Sequence, residues 1–237
     1  MDILDDLTLC ADPERAKNSA WFFKTGPGQY GEGDKFLGVI VPDIRKVARA
    51  HRDASLDEAE QLLKSEWHEA RLLAVILLVM QYEKGDGETQ KQIYDFYMTN
   101  TRYINNWDIV DSSARQIVGA HLYFVRQSKK LTALARSSSM WERRIAMIAT
   151  SYWLAHNDPK PTIEIAEILI NDKEDLMHKA VGWMLREMGK HVSPVVLREF
   201  LSKHAATMPR TTLRYAIEHF SPNERKMWLA KRAEAGV

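Results

Sequence analysis

The 237 residues are 45% hydrophobic and 27% charged, a balance ordinary for a globular chain long enough to bury a core. A net charge of +1 gives no global field toward nucleic acid, and one cysteine, Cys10, excludes an internal disulfide framework and any cysteine-based zinc site. The acidic start Met1-Asp2-Ile3-Leu4-Asp5-Asp6 lacks a secretory apolar segment, and residues 72–80 are too few to span a bilayer.

Helical periodicity runs almost throughout, and strand signals are weak. Residues 25–36, with Gly26-Pro27-Gly28 and Gly31-Glu32-Gly33, read as a long loop. No strand–helix context or Lys-Ser/Thr follows those glycines, so the loop is not a phosphate cradle. Tyr30 and Lys35 on it are candidates for backbone contacts with a polyanion. Val41-Pro42-Asp43 opens a helix with proline in its first turn, and Ser55 opens another with Asp57 and Glu58 behind it. Gly85-Asp86-Gly87 is a turn; Asn157-Asp158-Pro159 and Ser193-Pro194 each end one helix and begin the next. About a dozen helices joined by short loops are expected. The eight histidines show no HxxxH or HExxH spacing, so neither metal nor cofactor is expected.

A repeat runs along the chain. Trp67-His68-Glu69-Ala70-Arg71, Trp107-Asp108-Ile109-Val110-Asp111, Trp141-Glu142-Arg143-Arg144 and Leu176-Met177-His178-Lys179 start alike, at spacings of 40, 34 and 35 residues. Helix pairs recurring at that period imply an all-α fold, an α-solenoid of HEAT-like pairs in a single domain over 1–237 with a concave groove. Trp67, Trp141 and Trp153 read as repeat core. The methionines at 140, 147, 177, 184 and 188 read as packing.

Within the repeat, Trp107 and Asp111 stand four residues apart, on one helical face, with Asn105 or Asn106 as N-cap. An indole beside a carboxylate is a receptor for a cation; it is equally a core tryptophan beside a structural acid. Arg71, Asp111, Arg144 and Lys179 occupy equivalent positions, three of them cationic. Such a row suits a phosphate backbone, and the lone acid then has either a task or a packing salt bridge with Arg144. Charge is also uneven along the chain. Residues 1–60 carry eight Lys/Arg against twelve Asp/Glu, and residues 179–215 carry seven against two.

Four stretches resemble the DNA alkylation repair glycosylases of the AlkD-like family, which are HEAT-repeat proteins. Leu37-Gly38-Val39 with Pro42 and Arg45 resembles the family's LGV-x-x-P-x-x-R signature. Trp107-Asp108-Ile109-Val110-Asp111 resembles WDxVD, Trp141 with Arg144 resembles W-x-x-R, and Lys179-Ala180-Val181-Gly182-Trp183-Met184-Leu185-Arg186-Glu187 resembles KAIGWxLRE. Residues 209–216 fit the family's C-terminal end. The resemblance spans roughly residues 12–225.

It implies an enzyme that hydrolyses the N-glycosidic bond of cationic alkylated purines, 3-methyladenine and 7-methylguanine, in duplex DNA without fully flipping the base. By the same resemblance the catalytic residues are Asp111, Trp107, Trp183 and Arg144. Arg186 matches a further basic residue of the family. Lys179, Arg71, Arg210 and Arg214 join it as expected DNA contacts. The expected protein is a cytoplasmic monomer, nucleoid-associated when bound to DNA, with no membrane partner. The alternative is a non-catalytic HEAT-repeat module that binds DNA structures or protein. The chain departs from the pattern at Asn106, where some members carry a second aromatic, and at Asp175 and Leu176, where some carry aromatics.

Overall fold

The computed structural model describes residues 2–234, and among them all regular structure is helical apart from one isolated bridge between Lys35 and Trp67. The chain divides into two compact units that meet in sequence at Ile117 and Val118, inside the π-helical turn Arg115–Gly119.

The first unit contains α1 (Ile3–Thr8), α2 (Pro13–Phe22), α3 (Val41–Ala50), α4 (Leu56–Leu63), α5 (His68–Lys84), α6 (Gly87–Thr99), a 3₁₀ turn (Thr101–Tyr103) and α7 (Trp107–Asp111). Its centre is α5. Residues 68–78 of that helix are all buried, and α3, α4, α6 and α7 pack around it. From Leu72 to Leu78 the helix is apolar on every side, and such a stretch has no solvent face and must be enclosed. Each fully buried leucine there, such as Leu73 or Leu77, contributes about 1.5–3 kcal/mol relative to exposure. Flanking helices start where the sequence marks them. Ser55 and Glu58 form a reciprocal capping box on α4, Asp86 caps α6 through the Thr89 amide at 2.9 Å, and Pro42 lies in the first turn of α3.

The second unit contains α8 (Ala120–Phe124), α9 (Lys129–Ala135), α10 (Met140–Ala149), α11 (Ser151–Leu154), α12 (Lys160–Leu169), α13 (Asp175–His191), α14 (Pro194–His204), α15 (Arg210–Ala216) and α16 (Pro222–Glu234). Its centre is α13, touched by α10, α11, α12, α14 and α15. Gly182 lets α15 lie close: a Cβ there would stand 2.6 Å from the Thr212 carbonyl oxygen and 2.5 Å from Tyr215 Cβ.

Helices begin at or beside each repeat start: His68, Trp107, Met140 and Asp175. Helix pairs recurring in this way are the construction of an α-solenoid. Among the described residues the helices are more numerous and shorter than the dozen expected. The chain over 107–124 breaks into α7, a π turn and α8. A further break at Thr150, whose buried hydroxyl donates to the Met147 carbonyl at 2.7 Å, separates α10 from α11. Trp153 is buried as expected, whereas Trp67 and Trp141 are only half-buried.

Candidate functional site

In the first unit, functional side chains collect where the loop 23–40, the start of α5 and the start of α7 meet. Asn106 is fully buried and caps α7 by accepting the Trp107 amide on Oδ1 at 2.8 Å. Its Nδ2 donates to Asp34 at 2.9 Å. Asp34 also receives the Arg71 guanidinium at 2.5 Å and His68 Nδ1 at 3.1 Å. The other ring nitrogen of His68 lies 2.8 Å from Asp108. His68 is thus held between two carboxylates, one on the loop and one on α7. Burial pulls the imidazole's pKa down, but the Asp108 and Asp34 bonds more than offset it, leaving a pKa of about 8. For Asp34, burial raises the pKa, and the His68 bond and Arg71 charge outweigh it, so its carboxyl is held below the usual range.

The loop is fastened a second time. Glu69, buried beside His68, accepts the backbone N–H groups of Leu37, Gly38 and Val39 at 2.9, 2.8 and 3.3 Å. A buried carboxylate is tolerable when such donors replace its water. Gly38 has φ of +81°, and a Cβ there would lie 2.1 Å from the Asp12 carbonyl oxygen. The Leu-Gly-Val motif is therefore a backbone receptor for Glu69.

Aromatic rings line this junction. Trp107 stacks on Phe23 with centroids 5.3 Å apart and planes 15° from parallel, and Phe22 meets it edge-on at 6.1 Å. Phe36 and Phe23 cover His68 at 4.6 and 4.7 Å. Trp21 and Phe22 remain 83% and 56% exposed. Four residues on, Asp111 ends α7 and is half-buried. Burial pushes the neighbouring Tyr97 hydroxyl up; its bond to Ser113 at 2.9 Å opposes this, and the Asp111 charge adds to it. A cavity of about 520 Å³ lies within this unit, lined by Arg15, Phe22, Phe23, Phe36, His68 and Asp108 among others.

In the second unit, α10 carries Arg144, α13 carries Lys179, Trp183 and Arg186, and α15 carries Arg210 and Arg214. Arg144 is 5% exposed and donates to the Leu176 carbonyl at 2.8 Å. Trp183 is half-buried and donates its indole N–H to Glu187 at 3.2 Å. Lys179 pairs with Asp175 at 2.7 Å, and Arg186 pairs with Glu187 and Glu218. Arg210 donates to the Leu229 carbonyl at 2.8 Å, and Arg214 is exposed.

Among the expected DNA contacts, Arg71 is turned inward. It is 5% exposed, paired with Asp34 and bonded to the Ser65 carbonyl at 3.0 Å, so its guanidinium serves the interior of its own unit. Of the loop candidates, Lys35 pairs with Glu66 at 2.6 Å and the Tyr30 hydroxyl reaches the Phe22 carbonyl at 3.4 Å. Asp34, His68 and Glu69 escaped the sequence reading. Their only signal was the position of His68-Glu69 at a repeat start. Among the described residues, no group of three or more His, Cys, Asp or Glu could hold a metal ion, and no helix is long and apolar enough to cross a membrane.

These motifs place the chain in a family. The family model for DNA alkylation repair enzymes matches residues 3–220, so the chain belongs to that family. Among solved structures, the fold is similar to that of a protein described as a predicted DNA alkylation repair enzyme from Enterococcus faecalis. The two share 15% sequence identity at a TM-score of 0.69, over 90% of this chain and 97% of that one. No curated protein sequence matches.

Proposed function

We propose that this DNA repair enzyme is a glycosylase that releases cationic alkylated purines, such as 3-methyladenine and 7-methylguanine, from duplex DNA. The observation that carries the reading is α7 itself. It sets an indole and a carboxylate four residues apart on one helix whose start is fixed by Asn106 and by stacking on Phe23.

Alkylation at N3 or N7 makes the purine a cation and hence a good leaving group. The C1′–N9 bond breaks with its electron pair passing to the base, which departs neutral, so no general acid is required. Positive charge moves to the sugar as an oxocarbenium ion. Asp111 stabilises that charge and accepts the proton of the water that adds to C1′, leaving an abasic site. The face of Trp107 adds cation–π stabilisation, worth about 2 kcal/mol when desolvated. Lys179, Arg186, Arg210 and Arg214 are the basic groups offered to the backbone. These contacts are all to sugar and phosphate, so the base need not be fully extruded.

The test is incubation of duplex DNA containing 7-methylguanine with wild type and Asp111→Asn. Wild type releases the base, and the variant is slower by at least about 10-fold, since charge-stabilising groups are typically worth a few kcal/mol. No release by wild type at high enzyme excess would sink the reading. One observation favours the protein-binding form of the non-catalytic alternative: Asp175, Glu187 and Glu218 stand against Lys179 and Arg186 and weaken the basic field.

A further inference from the structure

His68 has no part in the chemistry above, yet it ties the loop to α7 through two carboxylates. Its two ring nitrogens lie 3.1 Å from Asp34 and 2.8 Å from Asp108. A neutral imidazole carries one N–H and can donate only once; two carboxylate partners require the imidazolium. Asp108 adjoins Trp107 and lies three residues before Asp111, and Asp34 in turn holds Asn106, the cap of the same helix. Both anchors of the first turn of α7 therefore converge on one ring.

We propose that the imidazolium of His68, bridging Asp34 and Asp108, is a positioning residue that holds Trp107 and Asp111 in their working arrangement, and that losing its proton slackens that hold. This rests on the glycosylase reading. The groups facing His68 are Asp34 from the loop, Asp108 from α7 and Arg71 from its own helix, with the rings of Phe23 and Phe36 across its faces. Glu69 and His68 both line the cavity of about 520 Å³, but Glu69 is committed to three backbone amides. Because that cavity reaches His68, the proton has a route to exchange. The two carboxylates hold its pKa at about 8, so the bridge is intact at neutral pH and opens in mild alkali.

Two measurements test this. The first is single-turnover release of 7-methylguanine from duplex DNA between about pH 6 and 9, with DNA bound to saturation. Wild type loses roughly 5- to 10-fold in rate across that range, His68→Gln is slow and nearly flat, and Asp108→Asn moves the fall to lower pH. The second needs no catalysis. The Trp107 indole N–H signal, assigned with Trp107→Phe, is followed by NMR as the His68 ring titrates. It shifts along the His68 curve if the coupling is real. Superimposable pH–rate profiles for wild type and His68→Gln would overturn the proposal, as would a Trp107 signal that ignores the titration. If no base is released at all, the glycosylase reading fails, and the NMR result still decides whether His68 governs Trp107.

Discussion

Asp108 and Asp111 lie three residues apart on one short helix and have separate duties. Asp108 is taken up by His68, while Asp111 closes the helix beside the buried Tyr97. Local spacing drew attention to Trp107 and Asp111 because i,i+4 geometry is visible in a sequence. It could not show that Asp108 meets a histidine 40 residues earlier, or that Glu69 binds amides 30 to 32 residues before it. His68 also makes folding stability depend on pH. Its folded pKa, about 8, stands above the unfolded value of 6.5. The stabilisation is therefore complete below about pH 6.5 and is lost as pH rises through about 8; it amounts to about 2 kcal/mol for this buried side chain. Urea unfolding at steps across that window reveals the decline in wild type. His68→Gln removes this contribution, and an unchanged slope in that variant would refute the assignment.

At the level of elements, the sequence marked helix starts far better than helix breaks. Ser55, Asp86, Asn106 and Ser193 are N-caps as their chemistry required. The interruption after α7 has no such mark. It ends at Gly119, where a Cβ would stand 2.5 Å from the Ala149 carbonyl oxygen, a close approach that local propensity does not show. Gly182 in α13 is the parallel case. Gly182→Ala gains up to about 1 kcal/mol of helix propensity. The new methyl would meet the Thr212 backbone and Tyr215 Cβ, neither of them the tip of a flexible side chain. Overpacking of that kind costs about 1–3 kcal/mol. The clash wins, and thermal unfolding should show a net loss of about 1–2 kcal/mol with α13 and α15 pushed apart. A variant as stable as wild type would mean that α15 yields readily.

Across the whole molecule, the net charge of +1 conceals a contest within the second unit. The resemblance to KAIGWxLRE suggested Lys179 and Arg186 as backbone contacts. The acids set against them are at Asp175 and Glu187 on the same helix and Glu218 some thirty residues later. The Lys179–Asp175 pair is largely exposed and contributes well under about 1 kcal/mol to stability, so Asp175 can be changed with little risk to the fold. Asp175→Asn should bind duplex DNA roughly threefold more tightly at low ionic strength, with a steeper salt dependence. Fluorescence anisotropy over a salt series measures both. Equal affinity at every salt would remove α13 from the DNA-facing surface.

Asn106 is the position at which some relatives of this family carry an aromatic ring. In this chain it is a fastener with two ends, one on the Trp107 amide and one on Asp34. A phenylalanine at 106 could make neither bond, and it would leave Asp34 with only Arg71 and His68 as partners. Residue 106 is therefore tied to the loop as well as to its own helix, and a designer who places an aromatic ring there has to rebuild the Asp34 anchor with it.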